Sequence, residues 1–154
     1  MATHKIVKLI NMENPSLEDR LQLLDDLYWT NWKELDVNYP EEVEKIFKYL
    51  KSGELGIKEM SMVLPLYNNI EGAHTGDFAV IIANFYRNDR IKFIKALNLN
   101  IDQAPHLVYI FRAMGIFEDG DQEFDEVKSI NRLNEEELET AFTFYRMYKS
   151  ICNT

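Results

Sequence analysis

The densest group of residues able to do chemistry in this 154-residue chain is a run of carboxylates in its C-terminal third. Acidic side chains occupy positions 119, 121, 123 and 125, and Glu118 and Glu126 flank them. Hard cations such as Ca²⁺ need several oxygen ligands close together, so the run suggests a helix-loop-helix calcium site. Counted from Asp119, however, Phe124 stands where the calcium loop needs glycine and Ile130 where it needs glutamate. The spacing therefore argues against that site, and we predict no metal ligands here.

The same segment has the charge of a surface that binds a basic protein. Positions 118–139 hold ten carboxylates against Lys128 and Arg132, which gives −8, and the whole chain has a net charge of −9. A negative field of this kind attracts a basic protein surface and repels nucleic-acid phosphates and anionic lipid headgroups. Phe117 and Phe124 favour a binding role, because a loop that is only solvated needs no aromatic residues, although both could anchor it to the core. The alternative interpretation of residues 118–126 is a solvated loop.

We expect the partner-binding residues to come from this loop and from one aromatic side chain on the first long helix. Tyr28 and Trp32 fall on the buried stripe of that helix, whereas Trp29 stands at its edge, where an exposed tryptophan can carry interface energy. The predicted partner-binding residues are Glu118, Asp119, Asp121, Glu123, Phe124, Asp125, Glu126 and Trp29. Basic residues concentrate at 87, 90, 92 and 95, and these could pair with the acidic loop of a neighbouring subunit.

A metal-dependent enzyme is the second functional hypothesis. Asp102 and His106 lie four residues apart, a spacing that places both on one helix face and within reach of one metal ion or proton-transfer site. Such an enzyme would need the loop carboxylates as further ligands, and a surface ion pair explains the spacing more simply. No nucleophile motif or phosphate-binding glycine loop occurs, and Cys152 has no acid-base neighbour in sequence. We therefore predict no catalytic residue and no cofactor.

The elements that must position these residues are helices. Six glycines and four prolines are too few for a protein built mainly of hairpins, and apolar residues recur at helical spacing. Ser16 with Asp19 and Asn134 with Glu137 are capping-box signatures, and Pro65 should shorten the helix that contains it. The segment 78–86, apolar except at Asn84, predicts a helix buried on every side. The predicted helices span about 17–36, 40–50, 57–67, 78–86, 91–97, 102–114 and 134–151, and residues 116–133 are the least regular part.

A weak internal repeat connects two of these helices. The pentapeptides at 46–50 and 93–97 align at an offset of 47 residues, and the helices that follow end at Gly72 and Gly120 in the same order. A repeat of this period, over about 41–72 and 89–120, resembles the units of HEAT and armadillo-like helical repeat proteins. The resemblance implies a right-handed stack of helices with a binding surface and no chemistry.

These observations together predict an all-α single domain, 1–154, of about seven helices stacked as antiparallel hairpins in a short HEAT-like array. A closed helical bundle is the alternative. The leading functional hypothesis is a non-catalytic acidic interaction module, such as an adaptor or an immunity-type inhibitor, that binds a basic protein surface and neither nucleic acid nor a membrane. A structural scaffold subunit, which would expose an apolar face, is the third hypothesis.

The expected location is cytoplasmic. No stretch reaches the about 18 consecutive apolar residues of a membrane-spanning helix. The apolar run near the N-terminus is interrupted by Lys8 and is too short for the core of a secretory signal. A secretory signal that has already been removed is the alternative.

Overall fold

All regular structure in the described residues, 2–70 and 74–152 of a computed structural model, is helical, and no strand occurs in those ranges. The all-α prediction is confirmed. The α-helices are α1 (Ala2–Ile10), α2 (Leu17–Trp29), α3 (Trp32–Asn38), α4 (Pro40–Leu50), α5 (Ile57–Val63), α6 (His74–Asn88), α7 (Arg90–Leu99), α8 (Ala104–Met114), α9 (Gly120–Ile130) and α10 (Glu135–Cys152). Two 3₁₀ helices, Leu64–Asn68 and Ile101–Gln103, precede α6 and α8.

The described residues form ten α-helices rather than about seven, and three segments account for the difference. Residues near the N-terminus form α1. The predicted helix 17–36 is broken after Trp29, because the Asn31 side chain accepts the backbone N–H of Glu34 at 3.0 Å and starts α3. The acidic segment forms α9.

Several local predictions are confirmed. Ser16 and Asp19 form a reciprocal capping box at the start of α2. Pro40 begins α4, and α5 ends two residues before Pro65, where the chain tightens into a 3₁₀ helix. Gly115 ends α8 with a φ of 59°, in the left-handed region that glycine enters without strain. The predicted end of the first repeat, Gly72, lies outside the described residues.

The chain forms two compact units, Met1–Phe78 and Ala79–Thr154, and the single-domain organisation stays a prediction. In the first unit, α1 packs against α2 and α4, and α2 also packs against α5 and the 3₁₀ helix that follows it. The core of this unit is mainly aliphatic, with Trp32, Phe47 and Phe78 also buried. Its fully buried side chains include Ile6, Leu24, Leu27, Leu35, Ile46 and Leu50.

In the second unit, α10 packs against α7, α8 and α9, so that the C-terminal helix is the central one. Its core is aromatic: the rings of Phe93, Phe111 and Phe144 lie 4.9–5.8 Å apart, centroid to centroid. The prediction that segment 78–86 is buried on every side is wrong, because Val80 and Asn84 are exposed on α6. These two residues are four apart and therefore share one solvent-facing stripe.

Gly120 allows α9 to approach α10 closely. A Cβ atom placed on this glycine would lie 2.7 Å from the backbone oxygen of Tyr145, which is closer than real Cβ contacts. The obstructing atom is backbone and cannot rotate away. Any side chain at position 120 would therefore push the two helices apart.

We expect Gly120→Ala to lower the free energy of unfolding by about 1–3 kcal/mol, the usual cost of overpacking a tight contact. Gly76→Ala in α6 is the matched control, since nothing lies within 4 Å of a Cβ there. Replacing a helical glycine without a clash should stabilise by about 0.5–1 kcal/mol. Urea unfolding of both variants measures the two values, and equal effects would contradict the close-approach argument.

Candidate functional site

The acidic segment is helical over most of its length, so its interpretation as a loop is wrong. The Asp119 side chain caps α9 by accepting the backbone N–H groups of Asp121 at 2.9 Å and Gln122 at 3.3 Å. Acidic residues in the first turn are stabilised by the positive end of the helix dipole. Asn131, in the left-handed region with a φ of 58°, ends the helix. The apolar spacing of residues 124, 127 and 130 was the sequence signal for this helix.

Glu123 lies at the centre of a polar network in the second unit. The Tyr86 hydroxyl donates to Glu123 Oε1 at 2.5 Å, and it lies 2.8 Å from the hydroxyl of Tyr145. Because the proton of Tyr86 is directed at the carboxylate, Tyr145 must donate to Tyr86. Arg90 Nη1 completes the network at 3.3 Å from Glu123 Oε2. The network joins side chains from α6, α7, α9 and α10.

Both tyrosines of this network act as hydrogen-bond donors rather than as acids or bases. Burial, the neighbouring Tyr145 hydroxyl and the hydrogen bond to Glu123 raise the pKa of Tyr86 far above its ordinary value of 10.0. Burial likewise raises the pKa of Tyr145. Both phenols therefore keep their protons at any physiological pH, and the arrangement is suited to holding helices together.

Two of the basic residues of α7, Arg90 and Lys95, pair with the acidic segment of the same chain. Arg90 Nη1 lies 3.0 Å from Glu126 Oε2 in addition to its contact with Glu123. The hydrogen bond from Arg90 lowers the pKa of Glu126 below its ordinary value. Lys95 Nζ lies 2.9 Å from Glu137 Oε1. Arg90 and Lys95 thus have partners within the chain, and their proposed pairing with a neighbouring subunit is not needed to explain them.

Glu137 combines an ion pair with a helix cap. Its Oε1 accepts the backbone N–H of Asn134 at 3.0 Å, and the Asn134 side chain accepts the N–H of Glu137 at 2.8 Å. This is the capping box predicted from the sequence. Burial alone would raise the pKa of Glu137, but the Asn134 N–H and the Lys95 ammonium outweigh it and lower the pKa.

The ten carboxylates of positions 118–139 divide into two groups. Four form ion pairs with cations outside the segment, and they are Asp121, Glu123, Glu126 and Glu137. The other six are all exposed, and none forms an ion pair with any part of the chain that the structure describes. These six are Glu118, Asp119, Asp125, Glu135, Glu136 and Glu139.

The two phenylalanines of the acidic segment have different surroundings. The ring of Phe117 packs 4.3 Å from Tyr148 and 5.5 Å from Tyr86, so Phe117 anchors the segment to the core. Phe124 is half-buried and contacts the exposed ring of Phe142 at 5.4 Å. Phe124 and Phe142 line a groove of about 500 Å³ between α9 and α10.

Trp29, the remaining predicted partner-binding residue, lies in the first unit. It is 72% exposed, and the ring of Tyr28 stands perpendicular to it with centroids 4.8 Å apart. Trp32 is buried, as its place on the apolar stripe predicts.

Asp102 and His106 are not on one helix. Asp102 lies in the 3₁₀ helix before α8, His106 lies in the first turns of α8, and both are exposed. Across the described ranges, no three or more His, Cys, Asp or Glu side chains are grouped so as to hold a metal ion. The described residues therefore do not provide the set of metal ligands that the metal-dependent hypothesis requires.

Two polar clusters in the first unit were not found from the sequence. Glu59 is buried, accepts the Tyr49 hydroxyl at 2.5 Å and lies 3.3 Å from Arg20 Nε. His74 Nε2 lies 2.7 Å from Asp36 Oδ1. The partners in each cluster include residues separated by more than 35 positions, which no local pattern reveals. Both clusters connect helices of this unit.

The comparisons with known proteins give no further guide to the function: no protein-family model, curated protein or solved structure matches this chain. Within the described ranges, no helix is both long and apolar enough to cross a membrane. The function is therefore inferred from the charge and geometry of the chain's own residues.

We expect Tyr86→Phe to lower the free energy of unfolding by about 1–3 kcal/mol, the cost of leaving buried hydrogen-bonding groups without a partner. The variant removes the donor to Glu123 and the acceptor of Tyr145 while keeping the ring. Tyr109→Phe on the exposed face of α8 is the control and should change stability by less than about 0.5 kcal/mol. Similar urea midpoints for both variants would refute the network's contribution.

We also expect the stability contributed by Glu137 to depend on pH. Its pKa is lower in the folded chain than its ordinary value of 4.5, so the folded state binds fewer protons. The contribution is therefore complete above pH 4.5 and is lost as the pH falls through the folded-state pKa. Glu137→Gln should destabilise by about 1–2 kcal/mol at pH 7.

Unfolding in urea at pH 7 and pH 3 tests this expectation. The difference between wild type and Glu137→Gln should shrink at pH 3, because the stability that Glu137 contributes decreases as the pH falls below its ordinary pKa of 4.5. Glu139→Gln, which removes an exposed carboxylate in the same helix, should leave stability unchanged at both pH values. A difference that stays constant with pH would contradict the assignment.

Proposed function

We propose that this chain is a non-catalytic interaction module, of the adaptor or immunity-inhibitor type, which binds a basic surface of a partner protein through positions 118–139. The observation that supports the proposal is the group of six exposed carboxylates without internal ion pairs. Their charges are available to an external cation, whereas Asp121, Glu123, Glu126 and Glu137 are already compensated.

The arrangement favours fast and selective association. Exposed charges of one sign steer a partner of the opposite sign during diffusion and add less to the final affinity. Asp121, Glu123 and Glu126 hold α9 against α7 and α10, and Glu137 holds α10 against α7, so the exposed carboxylates are carried by helices in fixed positions. A preorganised charged face loses little conformational entropy when a partner binds.

The proposal includes the HEAT-like array of helical hairpins, and it is argued from the burial pattern and spacing of the repeat. In the aligned pentapeptides, positions 46, 47 and 50 of α4 and positions 93, 94 and 97 of α7 are buried in the same order. The next α-helices begin at Ile57 and Ala104, again 47 residues apart. Helical repeats of this kind commonly serve as extended binding surfaces.

The test is a fourfold neutral variant, Glu118→Gln, Asp125→Asn, Glu135→Gln and Glu139→Gln, compared with wild type. These positions carry no ion pair among the described residues, so the variant should keep its fold. A basic protein captured by immobilised wild-type chain from the source cells serves as the probe. We expect its association rate with the fourfold variant to fall about tenfold or more at low ionic strength, as loss of electrostatic steering requires.

The salt dependence is the control within the same experiment. Wild type should lose its rate advantage as the ionic strength rises to about 1 M, where the screening length is about 3 Å. An association rate at low salt that is the same for both proteins would eliminate the proposal. Capture of no basic protein by the wild-type chain would also count against it.

A further inference from the structure

The C-terminal end of α2 exposes an aromatic residue beside uncompensated negative charge. Trp29, the last residue of α2, is 72% exposed. Asp25 lies four residues before it, on the same helix face as Tyr28 and Trp29, and is exposed as well. The ring of Tyr28 is perpendicular to the indole ring of Trp29, and their centroids are 4.8 Å apart.

A second carboxylate in this turn lacks compensation. Asp26 is 7% exposed, and its Oδ1 accepts the Gln22 amide at 3.0 Å. Its Oδ2 is buried and has no hydrogen-bond partner. Arg20 and Lys33, the nearest cations on either side along the chain, form no ion pair with Asp25 or Asp26 in the described structure, and Arg20 pairs with Glu59 instead.

The helix backbone adds negative potential at the same end of α2. The C-terminus of a helix carries a partial negative charge, and proteins often place a basic residue in the last turn to balance it. The last turn of α2 contains no basic residue. The first unit as a whole has eight Lys and Arg against fourteen Asp and Glu, a net charge of −6, whereas the second unit has nine against twelve, or −3.

We propose that the end of α2 captures a Lys or Arg side chain of the basic partner, with the cation on the exposed face of Trp29. An indole face attracts a cation through its quadrupole, and the guanidinium of arginine also stacks on it. The exposed carboxylate of Asp25 supplies the balancing charge. This inference rests on the proposed function, to which it adds a contact on the first unit and the chemical class of side chain that is recognised.

The experiment uses the two indole groups of the full chain as reporters, since the sequence contains two tryptophans. The probe is a synthetic peptide of alternating glycine and arginine, and the same peptide with citrulline is its neutral isostere. In ¹H–¹⁵N spectra, we expect the arginine peptide to shift the indole N–H of Trp29 in a saturable way. The buried indole of Trp32 should not move, and the citrulline peptide should leave both signals in place.

Substitutions then measure the contribution of each group. They are made in the fourfold neutral variant, where binding of the probe at positions 118–139 is suppressed, and affinity is followed by fluorescence anisotropy of the labelled arginine peptide. Trp29→Ala should weaken binding about two- to fivefold, the factor expected from a cation–π contact at an exposed site. Asp25→Asn should weaken it by a similar factor. Val37→Ala, at a residue that is also 72% exposed, is the matched control and should have no effect.

The outcomes separate this inference from the proposed function. If the arginine peptide shifts amides of α9 and α10 but not the Trp29 indole, the inference is wrong and the proposed function stands. Equal shifts of Trp29 with the arginine and citrulline peptides would also refute it, because recognition would not depend on charge. A charge-dependent shift at Trp29 without any at α9 and α10 would support the inference and count against the acidic segment.

Discussion

A carboxylate that is only 15% exposed must be compensated by nearby donors, and this requirement at Glu123 determines how α9 is held. An ionised carboxylate taken out of water without partners costs several kcal/mol. Tyr86 and Arg90 donate to it directly, and Tyr145 supports Tyr86. One charge thus joins α9 to three other helices, and the close contact of Gly120 with the backbone of α10 lies in the same first turn of α9.

The orientation of α9 decides which acidic residues stay exposed to solvent. Residues two apart on a helix point about 200° apart, so Asp125 faces solvent when Glu123 faces the core. The high charge of the segment therefore serves two purposes, attachment of α9 and presentation of a negative surface. The end of α2 is different. Neither Asp25 nor Asp26 forms an ion pair with a cation of the described chain, so no basic side chain compensates these residues there.

Local signals in the sequence predicted most helix boundaries correctly, because caps and breakers act over three or four residues. Ser16, Pro40, Pro65 and Gly115 all act as their residue types predict. The break after Trp29 carried the same kind of signal, since Asn31 is followed three residues later by Glu34, but the continuous apolar stripe outweighed it. In the same way the density of charge in the acidic segment concealed the apolar spacing that makes it a helix.

The sequence by itself determined that the chain is helical and acidic, because helical periodicity and net charge depend on composition and near neighbours alone. Only the tertiary structure decided which carboxylates form ion pairs within the chain. Glu123 meets Arg90 across 33 positions and Glu137 meets Lys95 across 42, and such encounters follow from how helices pack. The exposure of Trp29 was settled in the same way, since a residue at the edge of an apolar stripe is buried or left in water according to the helices that pack around it.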